Sequence, residues 1–250
     1  MPSQSDQDRR DRGGDHECGW KEDEDETEHD GMLALSVAGR ADRVDGLAFS
    51  YDASIMKSLT VFCSSSPAID PGFGVTARRL GTEIAARNLT LVYGGGSSGL
   101  MGEVATACAD ADGRIVGVIT EHLSNLEVAF DRCDELVVVD TMRRRKALMA
   151  ERGDGFLILP GGLGTYEEFF EVLVARLLEE HHHPIGILND QGYYDPLLAL
   201  LEHGFEQRFI ARPTMRLIQC GTDPDALIDA LVTADAVEVD PDTFYPARSG

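Results

Sequence analysis

Two glycine-rich segments stand out because each follows an apolar run of residues and precedes an amphipathic one. They are Gly94-Gly95-Gly96-Ser97-Ser98-Gly99 and Pro160-Gly161-Gly162-Leu163-Gly164-Thr165. Glycines between a strand and a helix let a phosphate approach backbone N–H groups, and the helix dipole favours an anion there. Both segments therefore predict contacts with a phosphate or a ribose, although a tight turn without a ligand would give the first pattern equally well. Neither segment closes with Gly-Lys-Ser/Thr, so neither is a P-loop.

Charged residues of both signs lie close to these segments. Glu167, Glu168 and Glu171 follow the second one, and Arg143-Arg144-Arg145-Lys146 begins another amphipathic run. Acidic residues are common in the first turn of a helix, but three carboxylates would repel a bound anion unless one has a chemical task. Four consecutive helical residues point to all sides, so only one or two of the basic residues can face a site. The sequence thus predicts one carboxylate and one or two cations beside a phosphate.

The runs that flank these motifs predict the elements that position them. Strands are predicted at residues 59–63, 89–93, 114–119, 135–139, 155–159 and 184–188. Helices are predicted at about residues 72–87, 99–112, 142–152, 165–180, 194–206 and 224–233. The strands are continuously apolar, which is typical of a parallel sheet covered by helices on both faces. We therefore predict a single α/β domain with a Rossmann-like doubly wound parallel sheet, and a site where the carboxyl ends of its strands meet.

Composition narrows the range of partners. The chain has 250 residues, 43% of them hydrophobic, and a formal net charge of −22. Such a charge repels nucleic acids and anionic membrane surfaces, so neither is expected as a partner. Five cysteines without a Cys-x-x-Cys pair suggest neither a disulfide framework nor a zinc site, and no metal is expected. With no apolar leader or membrane-length run in the sequence, we expect a cytoplasmic protein.

The first 57 residues differ from the rest in composition. They are rich in charge, with the acidic run Glu22-Asp23-Glu24-Asp25-Glu26, and show little periodicity. Such a segment buries too little apolar surface to offset the entropy of ordering it. We expect residues 1–57 to be an acidic disordered tail and residues 58–250 to form the Rossmann-like domain. Alternatively, the natural start is Met56.

Taken together, the motifs resemble those of the Lonely guy (LOG) family. They are Gly94-Gly95-Gly96-x-x-Gly99-Leu100-Met101-Gly102, Met142-x-x-Arg145-Lys146 and Pro160-Gly161-Gly162-x-Gly164-Thr165-x-x-Glu168. The likeness runs from about residue 57 to 210 and includes Phe62-Cys63-Ser64-Ser65-Ser66 and Leu188-Asn189-x-x-Gly192-Tyr193-Tyr194. It implies a phosphoribohydrolase of cytokinin biosynthesis that cleaves a purine nucleoside 5′-monophosphate to the free base and ribose 5-phosphate. It also implies a homodimer that needs no cofactor.

The resemblance carries roles over to particular residues. It implies that Arg145 and Glu168 are the catalytic pair, and that Gly161, Gly162, Gly164 and Thr165 hold the phosphate. Further substrate-binding residues that it implies are Gly95, Gly96, Gly99, Met142 and Lys146. Three segments depart from the usual family pattern: Arg143-Arg144 replaces His-Glu, Ser65-Ser66-Pro67 replaces a Gly-containing start, and Leu163 replaces an aromatic residue.

Two other functions compete with this interpretation. A nucleotide- or dinucleotide-binding module without catalysis would use the GxGxxG pattern of the first segment, with Glu121 as the ribose-binding acid. A lysine decarboxylase, the older label for this family, would need pyridoxal phosphate on Lys21, Lys57 or Lys146, and little else in the sequence supports it. His181-His182-His183 precedes a proline at a helix end, where histidine suits the helix dipole better than it suggests a metal site.

Overall fold

Strands and helices alternate along the computed structural model, which describes residues 56–126 and 129–234. The strands are β1 (Ser58–Phe62), β2 (Thr90–Tyr93), β3 (Ile115–Thr120), β4 (Glu135–Val139), β5 (Phe156–Ile158), β6 (Ile185–Leu188) and β7 (Ile218–Gly221). The helices are α1 (Pro71–Ala86), α2 (Gly99–Asp110), α3 (Glu121–Leu126), α4 (Met142–Arg152), α5 (Leu163–Leu177), α6 (Asp195–Glu206), α7 (Arg212–Arg216) and α8 (Pro224–Val232). A short 3-10 helix, Asp190–Gly192, precedes α6. None of the described helices is long and apolar enough to cross a membrane.

The strands form one parallel sheet in the order β4-β3-β2-β1-β5-β6-β7. From β1 the chain moves outward to β4, then returns to the other side of β1 and moves outward again to β7. Ligands of open α/β sheets bind where this direction reverses, just beyond the carboxyl ends of the strands. The predicted Rossmann-like, doubly wound fold is therefore confirmed, and the reversal lies between β1 and β5.

The alternating side chains of β1 pack against helices on both faces of the sheet. Leu59 and Val61 belong to the buried cluster that β1 and β2 share with α1, α2 and α8. Thr60 points the other way, and its hydroxyl donates to the carbonyl of Met149 on α4 at 2.9 Å. Burial on both faces explains the continuous apolar runs of the central strands. The sheet thus has α1, α2 and α8 on one face, with α4 on the other.

The structure adds elements that the sequence patterns did not predict. Strand β7 was missed because it is a short edge strand in which Ile218 alone is fully buried. Helices α3 and α7 are five or six residues long, too short for a helical period to show. Residues 1–55 of the predicted tail and 235–250 of the predicted domain lie outside the described residues. Met56, which was assigned to the tail, is buried in the core cluster.

Candidate active site

A cavity of about 380 Å³ lies where the direction of the sheet reverses. Its wall includes Ser64–Ser66 after β1, Gly94 after β2, and side chains from α4 and α5. Arg145, Glu168, Gly162, Gly164 and Thr165 line it together. Residues separated by more than 20 positions in the sequence thus meet in one place, as the sequence predicted for this edge of the sheet.

Contacts of all three guanidinium nitrogens hold Arg145 in the cavity wall. Its Nε donates to the carbonyl of Val118 at 2.9 Å, and its Nη2 donates to the carbonyl of Gly94 at 3.2 Å. Its Nη1 lies 3.4 Å from Oε1 of Glu168. A Cβ at position 94 would lie 2.1 Å from Nη2 of Arg145, so a larger residue there would displace the guanidinium. A side chain held in this way, and only 6% exposed, is preorganised for a ligand.

Glu168 is the acid that faces this guanidinium. It lies on α5, is 9% exposed, and borders the cavity beside Thr165. Burial raises the pKa of Glu168 to about 7, although the charge of Arg145 opposes that rise. A carboxyl group with such a pKa exchanges protons readily near neutral pH, which suits a general base.

The other two carboxylates of α5 have a different partner. Nζ of Lys146 lies 2.7 Å from Oε1 of Glu167 and 2.5 Å from Oε2 of Glu171. These contacts raise the pKa of Lys146, so the lysine stays charged. Lys146 therefore offsets one of the two negative charges of Glu167 and Glu171, and Glu168 is the one of the three acids that lines the cavity.

Glu168→Gln should change how stability depends on pH. Because its pKa is higher in the folded protein (about 7) than its ordinary value of 4.5, the folded state holds the proton more tightly. Wild-type stability should therefore fall as pH rises from about 4.5 to 7, by on the order of 3 kcal/mol. Glutamine does not titrate, so the variant should match wild type near pH 4 and exceed it above pH 7. Urea unfolding across this range tests the prediction, which parallel profiles for the two proteins would contradict.

The second glycine segment forms the amino end of α5. Helix α5 begins at Leu163 after Gly162, and the first N–H groups of a helix have no partner within it. A Cβ on Gly161 would lie 2.1 Å from Oγ1 of Thr165, so this glycine permits close packing. Nothing lies within 4 Å of a Cβ built on Gly162 or Gly164. These two positions therefore leave space beside the backbone, and their predicted role in binding phosphate stays a prediction.

The first glycine segment is used mainly for packing. Gly99 has φ of +60°, and a Cβ there would lie 2.6 Å from the backbone of Ser65. Gly95 has φ of +76° and packs against Ile119, while Gly96 forms a bridge with Ala129. Gly94 is the member of this segment that borders the cavity. The structure thus does not bring Gly95, Gly96 and Gly99 into the cavity wall with Gly94, because contacts within the protein fill the space around them.

Met142 and Lys146 also lie apart from the cavity wall. Met142 is 45% exposed at the first turn of α4. Lys146 borders a neighbouring cavity of about 410 Å³ together with His181 and His183.

The histidines of that neighbouring cavity are partly buried, and burial lowers the pKa of His181 to about 4. No cluster of metal-ligating side chains occurs among the described residues.

Sequence reasoning gave no role to several residues that line this cavity or contact its backbone. Cys63 and Leu123 line the cavity, and burial beside Glu168 raises the pKa of the Cys63 thiol. Tyr193 and Tyr194 contact the chain that leads into the second glycine segment. Their hydroxyls donate to the carbonyls of Gly161 at 2.6 Å and of Leu159 at 2.7 Å. The signal in the sequence was the Leu188-Asn189-x-x-Gly192-Tyr193-Tyr194 motif, which belongs to the resemblance but assigns these tyrosines no role.

The fold and the cavity define an α/β protein with a ligand site at the reversal point of a parallel sheet. A family model described as "Possible lysine decarboxylase" matches residues 101–231. A cytokinin riboside 5′-monophosphate phosphoribohydrolase of Rhodococcoides fascians is 48% identical over 166 residues, which are 66% of this chain and 84% of that protein. Cytokinin riboside 5′-monophosphate phosphoribohydrolase LOG1 of Arabidopsis thaliana is 42% identical over 165 residues, 66% of this chain and 77% of that protein. The chain belongs to this LOG family, so the resemblance noted in the sequence is confirmed.

Solved structures of other proteins share the fold. The molybdenum cofactor carrier protein of Chlamydomonas reinhardtii matches with a TM-score of 0.53 and 22% identity, over 69% of this chain and 93% of that one. The molybdenum cofactor binding protein of Rippkaea orientalis matches with a TM-score of 0.55 and 21% identity, over 72% of this chain and 100% of that one. At this level of identity the likeness shows the fold alone.

Proposed function

We propose that the protein is a phosphoribohydrolase that cleaves the N-glycosidic bond of a purine nucleoside 5′-monophosphate of the cytokinin type. The products are the free base and ribose 5-phosphate. The observation that carries the proposal is the pair Arg145 and Glu168, whose Nη1 and Oε1 atoms lie 3.4 Å apart in the cavity that the second glycine segment borders. Family membership and the names of the relatives support the same activity.

The 5′-phosphate would bind at the amino end of α5. Backbone N–H groups and the helix dipole attract an anion there, and Thr165 adds a hydroxyl. Gly162 and Gly164 leave room for the phosphate because no atom lies where their Cβ atoms would be. This contact supplies binding energy at a distance from the bond that breaks. It would bring C1′ of the ribose to the carboxylate of Glu168, with Arg145 beside it.

Glu168 would act at the sugar. As the C1′–N bond breaks, its electron pair leaves with the base and positive charge develops on the ribose. The carboxylate of Glu168 stabilises that charge and accepts a proton from the water that attacks C1′. The guanidinium of Arg145 orients the nucleotide and stabilises negative charge on the departing base, which takes a proton from solvent. Leu123 and Leu163 give the cavity an apolar part that suits a purine carrying a prenyl group.

Removing the 5′-phosphate should cost most of the activity. We expect kcat/KM for the riboside to be at least about a hundredfold below that for the monophosphate, because the contacts at α5 are lost. Release of the base can be followed by chromatography with adenosine and AMP and with a cytokinin riboside and its monophosphate. Equal rates with and without the phosphate would contradict the proposed binding mode.

A non-catalytic dinucleotide-binding module is the second candidate, because the first glycine segment satisfies GxGxxG. Packing of Gly95 and Gly99 against the protein's own backbone and side chains disfavours it. Titration of the protein with NADH, followed by fluorescence, distinguishes the two candidates: the hydrolase should bind AMP and not NADH.

A lysine decarboxylase is disfavoured because Lys146 is a charged partner of Glu167 and Glu171, whereas a Schiff-base lysine needs a lowered pKa.

We further propose that the protein works as a cytoplasmic homodimer. Large apolar side chains are exposed on α5, on α6 and after α6, and such surface is typical of an interface. Examples are Val174 at 49% exposure, Leu200 at 60% and Phe209 at 90%. Light scattering should give twice the chain mass of 27.2 kDa.

A further inference from the structure

Three successive carbonyl groups ahead of α5 accept hydrogen bonds from other parts of the chain. The carbonyl of Leu159 accepts from the hydroxyl of Tyr194 at 2.7 Å. The carbonyl of Pro160 accepts from the N–H of Ser64 at 3.1 Å. The carbonyl of Gly161 accepts from the hydroxyl of Tyr193 at 2.6 Å. The peptide planes before the helix are therefore fixed from outside the segment.

Fixing a carbonyl also fixes the N–H of the next residue. The described chain has no cis peptide bonds, and in a trans peptide the C=O and the following N–H point in opposite directions. When Tyr193 holds the carbonyl of Gly161, the N–H of Gly162 must point away from that tyrosine. Gly162 lines the cavity with Arg145 and Glu168. The hydroxyl of Tyr193 thus sets the direction of a donor next to the reacting groups.

Tyr193 is itself held in place on several sides. Its ring makes an edge contact with Phe73 at 5.9 Å between centroids, and its hydroxyl lies 3.0 Å from that of Tyr166. Because the Tyr193 proton is given to Gly161, Tyr166 must donate in the contact between the two hydroxyls. Burial raises the pKa of Tyr193 to about 12, so it remains a donor across the working range of pH. The tyrosine therefore holds one orientation.

We propose that Tyr193 is a positioning residue that directs the backbone N–H of Gly162 toward the 5′-phosphate of the substrate. The inference rests on the proposed function and extends it to a residue outside the reacting pair. Flexible glycine segments lose conformational entropy when they order around an anion. A peptide plane that is already oriented avoids part of that cost, so binding of the phosphate becomes tighter without a change in the chemical step.

Tyr194 provides a matched control. It makes the same type of bond to a carbonyl two residues earlier, and its hydroxyl is buried. The peptide that it holds continues into Pro160, which has no N–H. The Tyr194 hydroxyl also makes a hydrogen bond with the backbone of Gly161, but Gly161 is not among the residues that line the cavity, so this hydroxyl directs no donor toward the substrate. Losing it should lower the melting temperature because a buried carbonyl is left without its partner.

The test compares Tyr193→Phe with Tyr194→Phe in the full chain. For Tyr193→Phe we expect KM for AMP to rise about tenfold with kcat within about twofold, as expected for the loss of one oriented donor. The Kd of ribose 5-phosphate, measured by calorimetry, should rise by the same factor. The kcat/KM for adenosine, which has no phosphate, should be unchanged. Tyr194→Phe should melt at a lower temperature with KM for AMP within about twofold of wild type.

Several outcomes would overturn the inference. One is a Tyr193→Phe protein with unchanged KM and Kd, and another is an equal loss with AMP and adenosine, which would indicate a structural role only. A Tyr194→Phe protein with the same selective loss would also contradict it. The proposed function fails separately: wild-type protein that binds ribose 5-phosphate and AMP without releasing adenine contradicts hydrolysis, while the calorimetric comparison still tests Tyr193. Wild-type protein that binds neither compound contradicts both.

Discussion

Glu168→Gln should bind a nucleoside 5′-monophosphate and fail to cleave it. Glutamine keeps the size of the side chain and a hydrogen-bond acceptor, but it cannot take a proton from water or carry the charge that stabilises an oxocarbenium ion. We expect kcat to fall by about a thousandfold or more, and Kd for AMP to stay within about fivefold of wild type. Single-turnover release of adenine and calorimetric binding measure the two quantities.

The pH profile of wild type should report the same group. In the proposed mechanism Glu168 acts as the carboxylate, and burial raises its pKa to about 7, so kcat/KM should increase as pH rises through about 7 and then level off. Glu167→Gln is a suitable control because this neighbour is 64% exposed and pairs with Lys146. It should keep most of the activity. Wild-type turnover in Glu168→Gln, or a loss of the same size in Glu167→Gln, would show that the reacting acid is a different residue.

Arg145→Met should produce the second large loss, of about a hundredfold to a thousandfold in kcat/KM. Methionine fills much of the space but removes the donors to Val118, Gly94 and Glu168. It also leaves Glu168 buried without its cation, which should raise the pKa of that acid further. The rising limb of the pH profile should therefore move above 7. Steady-state rates between pH 5 and 10 measure both effects.

Arg145→Lys and Arg144→Met complete this comparison. Lysine cannot reproduce the planar fork that reaches three acceptors at once, so it should restore little activity. Arg144 is 55% exposed and pairs with Glu151, so Arg144→Met should behave almost as wild type. Full activity of Arg145→Lys would mean that a positive charge at this position is sufficient for catalysis and that the planar guanidinium is not needed. Equal losses in the two methionine variants would mean that the loss reflects the charge of α4 as a whole.

The sequence could predict the sheet, and the edge of the sheet where the cavity lies, because both depend on local patterns. Continuous apolar strands and glycine-rich turns are fixed by burial and backbone geometry within a few residues. The second glycine segment leaves space beside its backbone, and Arg145 and Glu168 meet in the cavity beside it. The pairing of these two side chains, 23 residues apart, was implied by the family resemblance and not by any local pattern.

The rest depends on contacts that no local pattern encodes. Three adjacent acids on α5 look alike in sequence, but Lys146 on α4 pairs with Glu167 and Glu171, and Glu168 faces Arg145. The GxGxxG pattern of the first segment describes glycines that are required by packing, since Gly99 touches the chain after β1. The role of Tyr193 depends on a bond across 32 residues. These long-range contacts depend on how α4, α5 and the turn before α6 pack against one another.

Analysis of the products is the most direct test of the proposed reaction. Purified protein is incubated with a cytokinin riboside 5′-monophosphate, and the base, the sugar phosphate, the riboside and inorganic phosphate are each quantified by chromatography and mass spectrometry. Hydrolysis by the pair Glu168 and Arg145 predicts that wild type forms equal amounts of free base and ribose 5-phosphate. Glu168→Gln should form neither product. Accumulation of the riboside with inorganic phosphate, or no turnover of any purine nucleoside monophosphate, would contradict it.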